Sequence, residues 1–320
     1  MQVPKLKRAV IEIFGGCNYS CKMCPQTDGR DINFLKKMPL DVFENILDQL
    51  PGTPIINLEG SGEPSIVSDL PLYVEACTRR GLKSYMYCNG SKMAGQHMKD
   101  TVDAGLSFIR FSCIGYNREK YQHLMNVDNF DLIVDNCLQM KEYVAANNKS
   151  CIVSSYHLIT DISDIAFEVS EYRRNFIDKI GIIGYIWKMH NWSGNYSPIY
   201  FRNPTNKKSC GRPFAPEITI RAGGIDGKYG AVTPCCQTLG SNEASSVLGH
   251  LSHESLENVW YGREYEKLRE LHTTKDFDSI LYCKNCDFLY EDPEVLVWSN
   301  DPSASTDLLL GTDFSLRSYK

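Results

Sequence analysis

Two hydrophobic rhythms alternate along the N-terminal part of the chain. Short runs rich in Val, Ile, Phe and Tyr fall at Arg8–Phe14, Pro54–Leu58, Lys83–Cys88, Ser107–Cys113, Cys151–His157 and Lys179–Trp187. Their length and composition predict strands. Between them apolar positions stand three and four apart: Leu40, Phe43, Ile46, Leu47 and Leu50, then Phe130, Ile133, Val134, Cys137, Met140 and Val144. That spacing is the stripe of a helix burying one face. Gly81 and Gly105 predict helix stops, because glycine enters the left-handed region without a Cβ clash. Leu158–Ile177 predicts a further helix before the sixth strand.

Six strands alternating with helices predict an α/β fold with a parallel sheet, curled into a partial (β/α)6 TIM-like barrel. In such a barrel the loops after the strands carry the chemistry. The rhythm ends near Asn191. A polar stretch runs to Lys208, followed by Cys210, then Gly223, Gly224, Gly227 and Gly230, Cys235, one amphipathic helix over Leu256–Leu271, and Cys283 and Cys286. The expected organisation is a barrel over 1–195, a small metal-stapled domain over 205–300, and a tail over 301–320 that turns apolar at Leu308–Leu310.

Composition narrows the class. The 320 residues are 42% hydrophobic and 23% charged, as in an ordinary globular protein. A net charge of -5 with no basic patch argues against a nucleic-acid partner. The start, MQVPKLKRAV, has no apolar signal core, and no run is long enough to span a membrane, so the expected location is the cytoplasm. In that reducing compartment an odd count of thirteen cysteines points to metal ligands, catalysts or core filler rather than disulfides. Cys77, Cys137 and Cys151 lie in apolar patterns and read as core.

Cys17, Cys21 and Cys24 do not. They sit in GGCNYSCKMC, a Gly/Asn/Ser-rich loop directly after the first strand. A closed tetrahedral site takes four ligands. Three thiolates hold one face of an iron–sulfur cube and leave one iron without a protein ligand. A zinc site or coincident core cysteines are the alternatives.

CxxxCxxC on this loop, with the strand order around it, resembles the radical S-adenosylmethionine (radical SAM) superfamily over roughly Val10–Trp187. The resemblance implies a 4Fe–4S cluster on Cys17, Cys21 and Cys24 whose open iron chelates SAM. It implies a 5'-deoxyadenosyl radical that removes a hydrogen atom from substrate. Glu59-Gly60-Ser61-Gly62-Glu63-Pro64 resembles the family's GGEP segment, which implies SAM contacts from Ser61, Gly62 and Glu63. Cys88-Asn89-Gly90 resembles its TNG segment, with Asn89 reaching a SAM hydroxyl or carboxylate. Ser112 and Ser154 are weaker contacts of the same kind. Met23 stands where the family often has an aromatic beside adenine; a flexible thioether can keep that packing role.

The second set reads C-x19-G-x4-C-x47-C-x2-C from Cys210 to Cys286. It resembles the SPASM/twitch extension of radical SAM enzymes, and LENVWYGREYEKLREL resembles the helix of that extension. With no cysteine after Cys286, the short twitch form is implied: one auxiliary 4Fe–4S cluster on Cys210, Cys235, Cys283 and Cys286. On spacing alone structural zinc fits equally well.

A closed auxiliary cluster suits electron transfer. The expected reaction is therefore dehydrogenation, by a radical SAM oxidoreductase, of a carbohydrate- or cyclitol-like alcohol. Lys188 and His190, and behind them His157, are candidates for taking the proton. The alternatives are an epimerase, which needs a thiol such as Cys236, Cys88 or Cys113, or a peptide maturase. A non-catalytic zinc-stapled binding protein is a remoter one. Trp187, Trp192, Tyr196, Tyr200 and Phe201 line either the substrate or the interdomain seam. The first strand begins near Arg8 with no extension ahead of it for a leader peptide, which favours a small polar substrate over a peptide. A flavodoxin- or ferredoxin-type protein is the expected electron donor.

Overall fold

The computed structural model describes residues 3–25, 35–159, 163–194, 207–224, 227–238, 243–289 and 296–304. Tyr196, Tyr200, Phe201 and Leu308–Leu310 lie outside them. Six strands, β1 (Arg8–Ile11), β2 (Ile55–Leu58), β3 (Ser84–Cys88), β4 (Phe108–Ser112), β5 (Ile152–Ile159) and β6 (Ile183–Lys188), pair in parallel in chain order. The helices α1 (Leu40–Gln49), α2 (Leu70–Arg79), α3 (Gly95–Asp103), α4 (Arg118–Met125), α5 (Phe130–Ala146) and α6 (Ile165–Tyr172) connect them. The curl is open: β1 and β6 do not pair. Strand residues such as Ile11, Ile56, Met86 and Ile109 meet the buried faces of the helices, including Phe43, Tyr73 and Ile133, in one core. This is the partial (β/α)6 barrel that the sequence predicts.

Two boundaries differ from the sequence reading. β5 runs through Ile159, and the helix after it begins only at Ile165. The sixth strand begins at Ile183, because Lys179 belongs to a last helical turn that Gly181 ends at a φ of 72°. The helix expected over Leu256–Leu271 is two, α7 (Leu256–Trp260) and α8 (Arg263–Thr274). Between them Gly262 packs against the Asn258 carbonyl oxygen, which a Cβ would approach to 2.6 Å.

Four strands were not legible. β7 (Glu217–Gly223) pairs in parallel with β1, Arg8 opposite Glu217 and Ile11 opposite Ile220. β8 (Tyr229–Thr233) and β9 (Gly249–His250) add to it antiparallel. At the other edge β10 (Leu296–Ser299) pairs antiparallel with β6. One ten-stranded sheet, ordered β10-β6-β5-β4-β3-β2-β1-β7-β8-β9, therefore runs through both halves.

His157 is a brace and not a solvated base. Its ring is fully buried; Nδ1 accepts from the Gly115 amide at 3.0 Å, and Nε2 lies 2.7 Å from Glu168 Oε1. An acceptor at Nδ1 fixes the hydrogen on Nε2, so the neutral ring donates to Glu168 and ties α6 to the loop after β4. His157→Ala removes one hydrogen-bond partner from Glu168 and one from the Gly115 amide. It is expected to lower stability by about 2 kcal/mol in a denaturant melt, with SAM cleavage per folded molecule unchanged.

Candidate active site

The loop after β1 is held before it holds anything. Cys24 N–H donates to Cys21 O at 3.0 Å, Lys22 N–H to Leu124 O at 2.9 Å, and Asn129 Nδ2 to Tyr19 Oη at 2.8 Å. Cys21 Sγ lies 3.7 Å from Met125 Sδ, and Tyr19 N–H points at Cys17 Sγ at 3.4 Å. The three thiols are half-buried, unlike Cys77, Cys137 and Cys151, which are buried. Burial pushes Cys17 up to about 11, and the Cys24 thiol adds to the shift. Burial, then the charges of Cys24 and Cys17, push Cys21 up further. Thiols that raise one another lie close together, and a bound metal cluster would reverse the shift, because thiolates are its ligands.

The segment after β2 fits against this loop through glycine. A Cβ on Gly62 would sit 1.9 Å from the Phe14 carbonyl oxygen, and one on Gly60 2.4 Å from the Glu12 side chain. Glu63 N–H donates to Gly16 O at 2.8 Å. Buried Glu12 accepts from Ser61 N (2.8 Å) and Ser61 Oγ (2.7 Å) and from Ala222 N of β7 (3.3 Å). Glu63 in turn accepts from Ser65 N (2.8 Å) and from Asn89 N (2.6 Å), joining the loops after β2 and β3. Burial lifts its carboxyl to about 7 against the pull of these donors. Asn89 Oδ1 accepts from Ser91 N and Oγ, and its Nδ2 donates to Asn18 Oδ1 at 2.9 Å, back on the cysteine loop.

These residues open onto one cavity of about 260 Å³ at the carboxyl ends of the strands. Cys17, Cys21, Met23, Cys24, Ser61, Gly62, Glu63, Asn89, Ser112, His190 and Cys236 all line it. Ser154 and Lys188 do not. Ser154 is on the inward face but one pleat deeper, opposite Arg110, with Oγ donating to Ile109 O at 2.9 Å. Trp187 lines the cavity, so its neighbour Lys188 points to the opposite face of the strand. His190 Nδ1 accepts from Trp192 N at 3.4 Å, which leaves Nε2 as the edge with the hydrogen.

Sequence reasoning missed the charged wall. Glu59, Arg212 and Glu217 line the cavity. Arg212 Nη1 pairs with Glu217 Oε1 at 3.0 Å and reaches Cys236 Sγ at 3.4 Å. Burial works against its charge, but Cys236 and Glu217 raise its pKa overall. Burial raises the Glu59 carboxyl, which accepts from Asn57 Nδ2 at 3.0 Å. An arginine two residues after Cys210 was the available signal for Arg212; nothing local marks Glu217.

The second cysteine set converges as the first does. Burial raises Cys210 and Cys235, the latter to about 11, and the charge of Cys210 adds to the shift of Cys235. Burial lifts Cys283 and Cys286 well above the ordinary thiol range, and Cys210 and Cys235 push the same way. None of these four lines the cavity, whereas Cys236 does. Four thiolates on one zinc lie about 3.8 Å apart, given bonds of about 2.3 Å. Among the described residues, neither cysteine set brings three sulfurs within 4.8 Å of one another.

A partial barrel with three converging thiols on its first loop, above a Glu- and Asn-lined cavity, defines an iron–sulfur enzyme whose cluster stands open to a second ligand. Residues 11–168 match the Radical SAM superfamily, and residues 227–287 match the SPASM iron-sulfur cluster-binding domain. The chain belongs to the radical SAM superfamily and carries a C-terminal SPASM domain. Its cofactors are SAM and a 4Fe–4S cluster, with auxiliary iron–sulfur in the SPASM domain. An uncharacterized protein of Methanocaldococcus jannaschii is 23% identical over 168 residues, 51% of this chain and about half (53%) of that relative's length. Two solved structures share the fold. SuiB of Streptococcus suis bound to precursor peptide SuiA has a TM-score of 0.60 at 16% identity, covering 88% of this chain and 71% of that one. BtrN in complex with AdoMet and 2-DOIA has a TM-score of 0.58 at 15% identity, covering 88% and 93%. No described helix is long and apolar enough to cross a membrane.

Proposed function

We propose that the protein dehydrogenates a small polar alcohol of the sugar or cyclitol kind. The observation carrying this reading is the single cavity that begins at Cys17, Cys21 and Cys24 and ends at Cys236, the chain neighbour of Cys235. When bound, SAM and its cluster supply a carbon-centred radical that removes a hydrogen atom from substrate. Cys17, Cys21 and Cys24 hold that cluster. Ser61, Gly62, Glu63, Asn89 and Ser112 orient SAM, and Met23 packs against its adenine. Cys210, Cys235, Cys283 and Cys286 would hold one auxiliary cluster, which would supply an acceptor for the second electron. Glu59, raised by burial, takes the hydroxyl proton, and His190 donates from Nε2 to position the substrate. Support for a small substrate comes from the cavity size and from BtrN, whose structure holds 2-DOIA.

One observation favours a second reading. Cys236 stands apart from the other four thiols and faces the cavity, as a hydrogen-atom donor for epimerisation would. The deciding experiment runs the reduced, cluster-loaded protein with SAM and aminocyclitols or sugars in D2O, as wild type and as Cys236→Ser. A ketone product without solvent deuterium, formed equally by the variant, supports dehydrogenation. An inverted product carrying one solvent deuterium, lost in the variant, supports epimerisation and overturns the first reading. Turnover with peptides alone overturns both.

Glu63 makes SAM binding pH-dependent. Its folded pKa is raised from 4.5 to about 7, so the carboxylate that attracts the SAM ammonium forms only as pH rises through 7. Binding should tighten about tenfold from pH 6 to pH 8 and stay flat in Glu63→Gln, as equilibrium dialysis would show.

A further inference from the structure

Away from the cavity, the turn between β9 and α7 gathers two imidazoles and a carboxylate. We propose that His250, His253 and Glu254 bind one zinc ion, separate from the iron–sulfur sites. One ligand atom from each of the three lies within 4.8 Å of the other two, and among the described residues no other His/Cys/Asp/Glu group does this. The backbone dictates the arrangement. His253 N–H (3.3 Å) and Glu254 N–H (2.9 Å) both donate to His250 O, so positions i, i+3 and i+4 project from one helical-type turn.

Three contacts prepare the donors. His250 N–H donates to Glu254 Oε1 at 2.7 Å and turns that carboxylate toward the ring of its own donor residue. The rings of His250 and His253 lie nearly parallel, with centroids 5.4 Å apart. Ser252 Oγ has one hydrogen and donates it to Tyr229 O at 2.7 Å. At its 2.9 Å contact with His253 Nδ1 it therefore accepts. The hydrogen of His253 is thus fixed on Nδ1, which leaves the lone pair of Nε2 as the donor for a metal. A carbonyl–hydroxyl–imidazole relay of this kind is how outer groups orient metal-bound histidines.

Two imidazoles and a carboxylate are a zinc donor set that leaves a position for water. Tetrahedral bonds of about 2.0–2.1 Å need donor atoms about 3.3 Å apart, so the turn must tighten. The exposed His253 can make that movement, while buried His250 stays in place. Gln49 of α1 grips both flanks: Nε2 donates to Leu251 O at 3.2 Å, and Oε1 accepts from Leu256 N at 2.9 Å. A metal here would stiffen a turn that joins the SPASM domain to the barrel.

The test uses anaerobically prepared, cluster-loaded protein, so that the thiols are occupied. Equilibrium dialysis against zinc, with metal analysis, should give one zinc per chain beyond the iron. His253→Ala and Glu254→Gln should each weaken binding at least tenfold with the iron content unchanged. Cobalt in place of zinc should show d–d bands without thiolate charge transfer. No zinc beyond the iron, binding by either variant as tight as by wild type, or zinc taken up only as iron leaves would overturn the proposal.

Discussion

Anaerobically prepared wild-type protein should carry about eight irons per chain, and a Cys17/Cys21/Cys24→Ala variant about four, with SAM cleavage at background. The expectation rests on two separate thiol sets: Cys17, Cys21 and Cys24, half-buried on the cavity, and Cys210, Cys235, Cys283 and Cys286, half-buried to buried and off its lining. Cys210→Ala should divide the functions the other way. It keeps the first cluster and SAM cleavage, and it loses formation of oxidised product, because the second electron has no acceptor. Iron and sulfide analysis with chromatography of the SAM fragments checks both. A triple variant that still held eight irons, or still cleaved SAM, would sink the assignment.

Gly62→Ala should slow SAM cleavage about a hundredfold without touching a cysteine or a charge. The new methyl would lie 1.9 Å from Phe14 O and 2.7 Å from Gly16 O, both backbone atoms that no side-chain rotation can clear. Either the GSGEP loop or the cysteine loop must move by more than 1 Å. A displacement of that size at a reacting centre costs on the order of a hundredfold in rate. The strain should also cost upward of about 4 kcal/mol of stability. Ser61→Ala, in the same SAM-facing segment, is the milder comparison. It deletes one hydroxyl bond to Glu12 but keeps the amide bond from the same residue, so it should cost about 1 kcal/mol. Isothermal SAM titration and a thermal melt separate the two variants.

What could be read in advance was what short stretches of chain determine. The thiols at 17, 21 and 24, and the glycines of GSGEP, answer to constraints within a few residues, so their spacing carries them. For Ser154 the parity was legible and the depth was not: it faces inward, yet it lies in the layer of Arg110. Lys188 failed on parity, because the strand start set at Lys179 gave no register for its end. β7 was hidden because its partner, β1, is far away in sequence, and because Glu217 and Arg221 give a fully buried strand the composition of an exposed one. Glu217 reaches the cavity wall only through that pairing, so no local signal could mark it.

The partnership of β1 with β7 has a consequence for biosynthesis. On the ribosome β1 emerges early, but the strand that covers its outer edge ends at Gly223. At about 5–20 residues per second that edge waits roughly 10–40 s, a buried-type strand with unpaired backbone groups. A polypeptide stopped before Glu217 would keep that edge permanently and should aggregate, however complete its barrel. Emergence of β7, rather than completion of the six βα units, is then the point from which the newborn chain can be handed to the machinery that delivers its iron and sulfur.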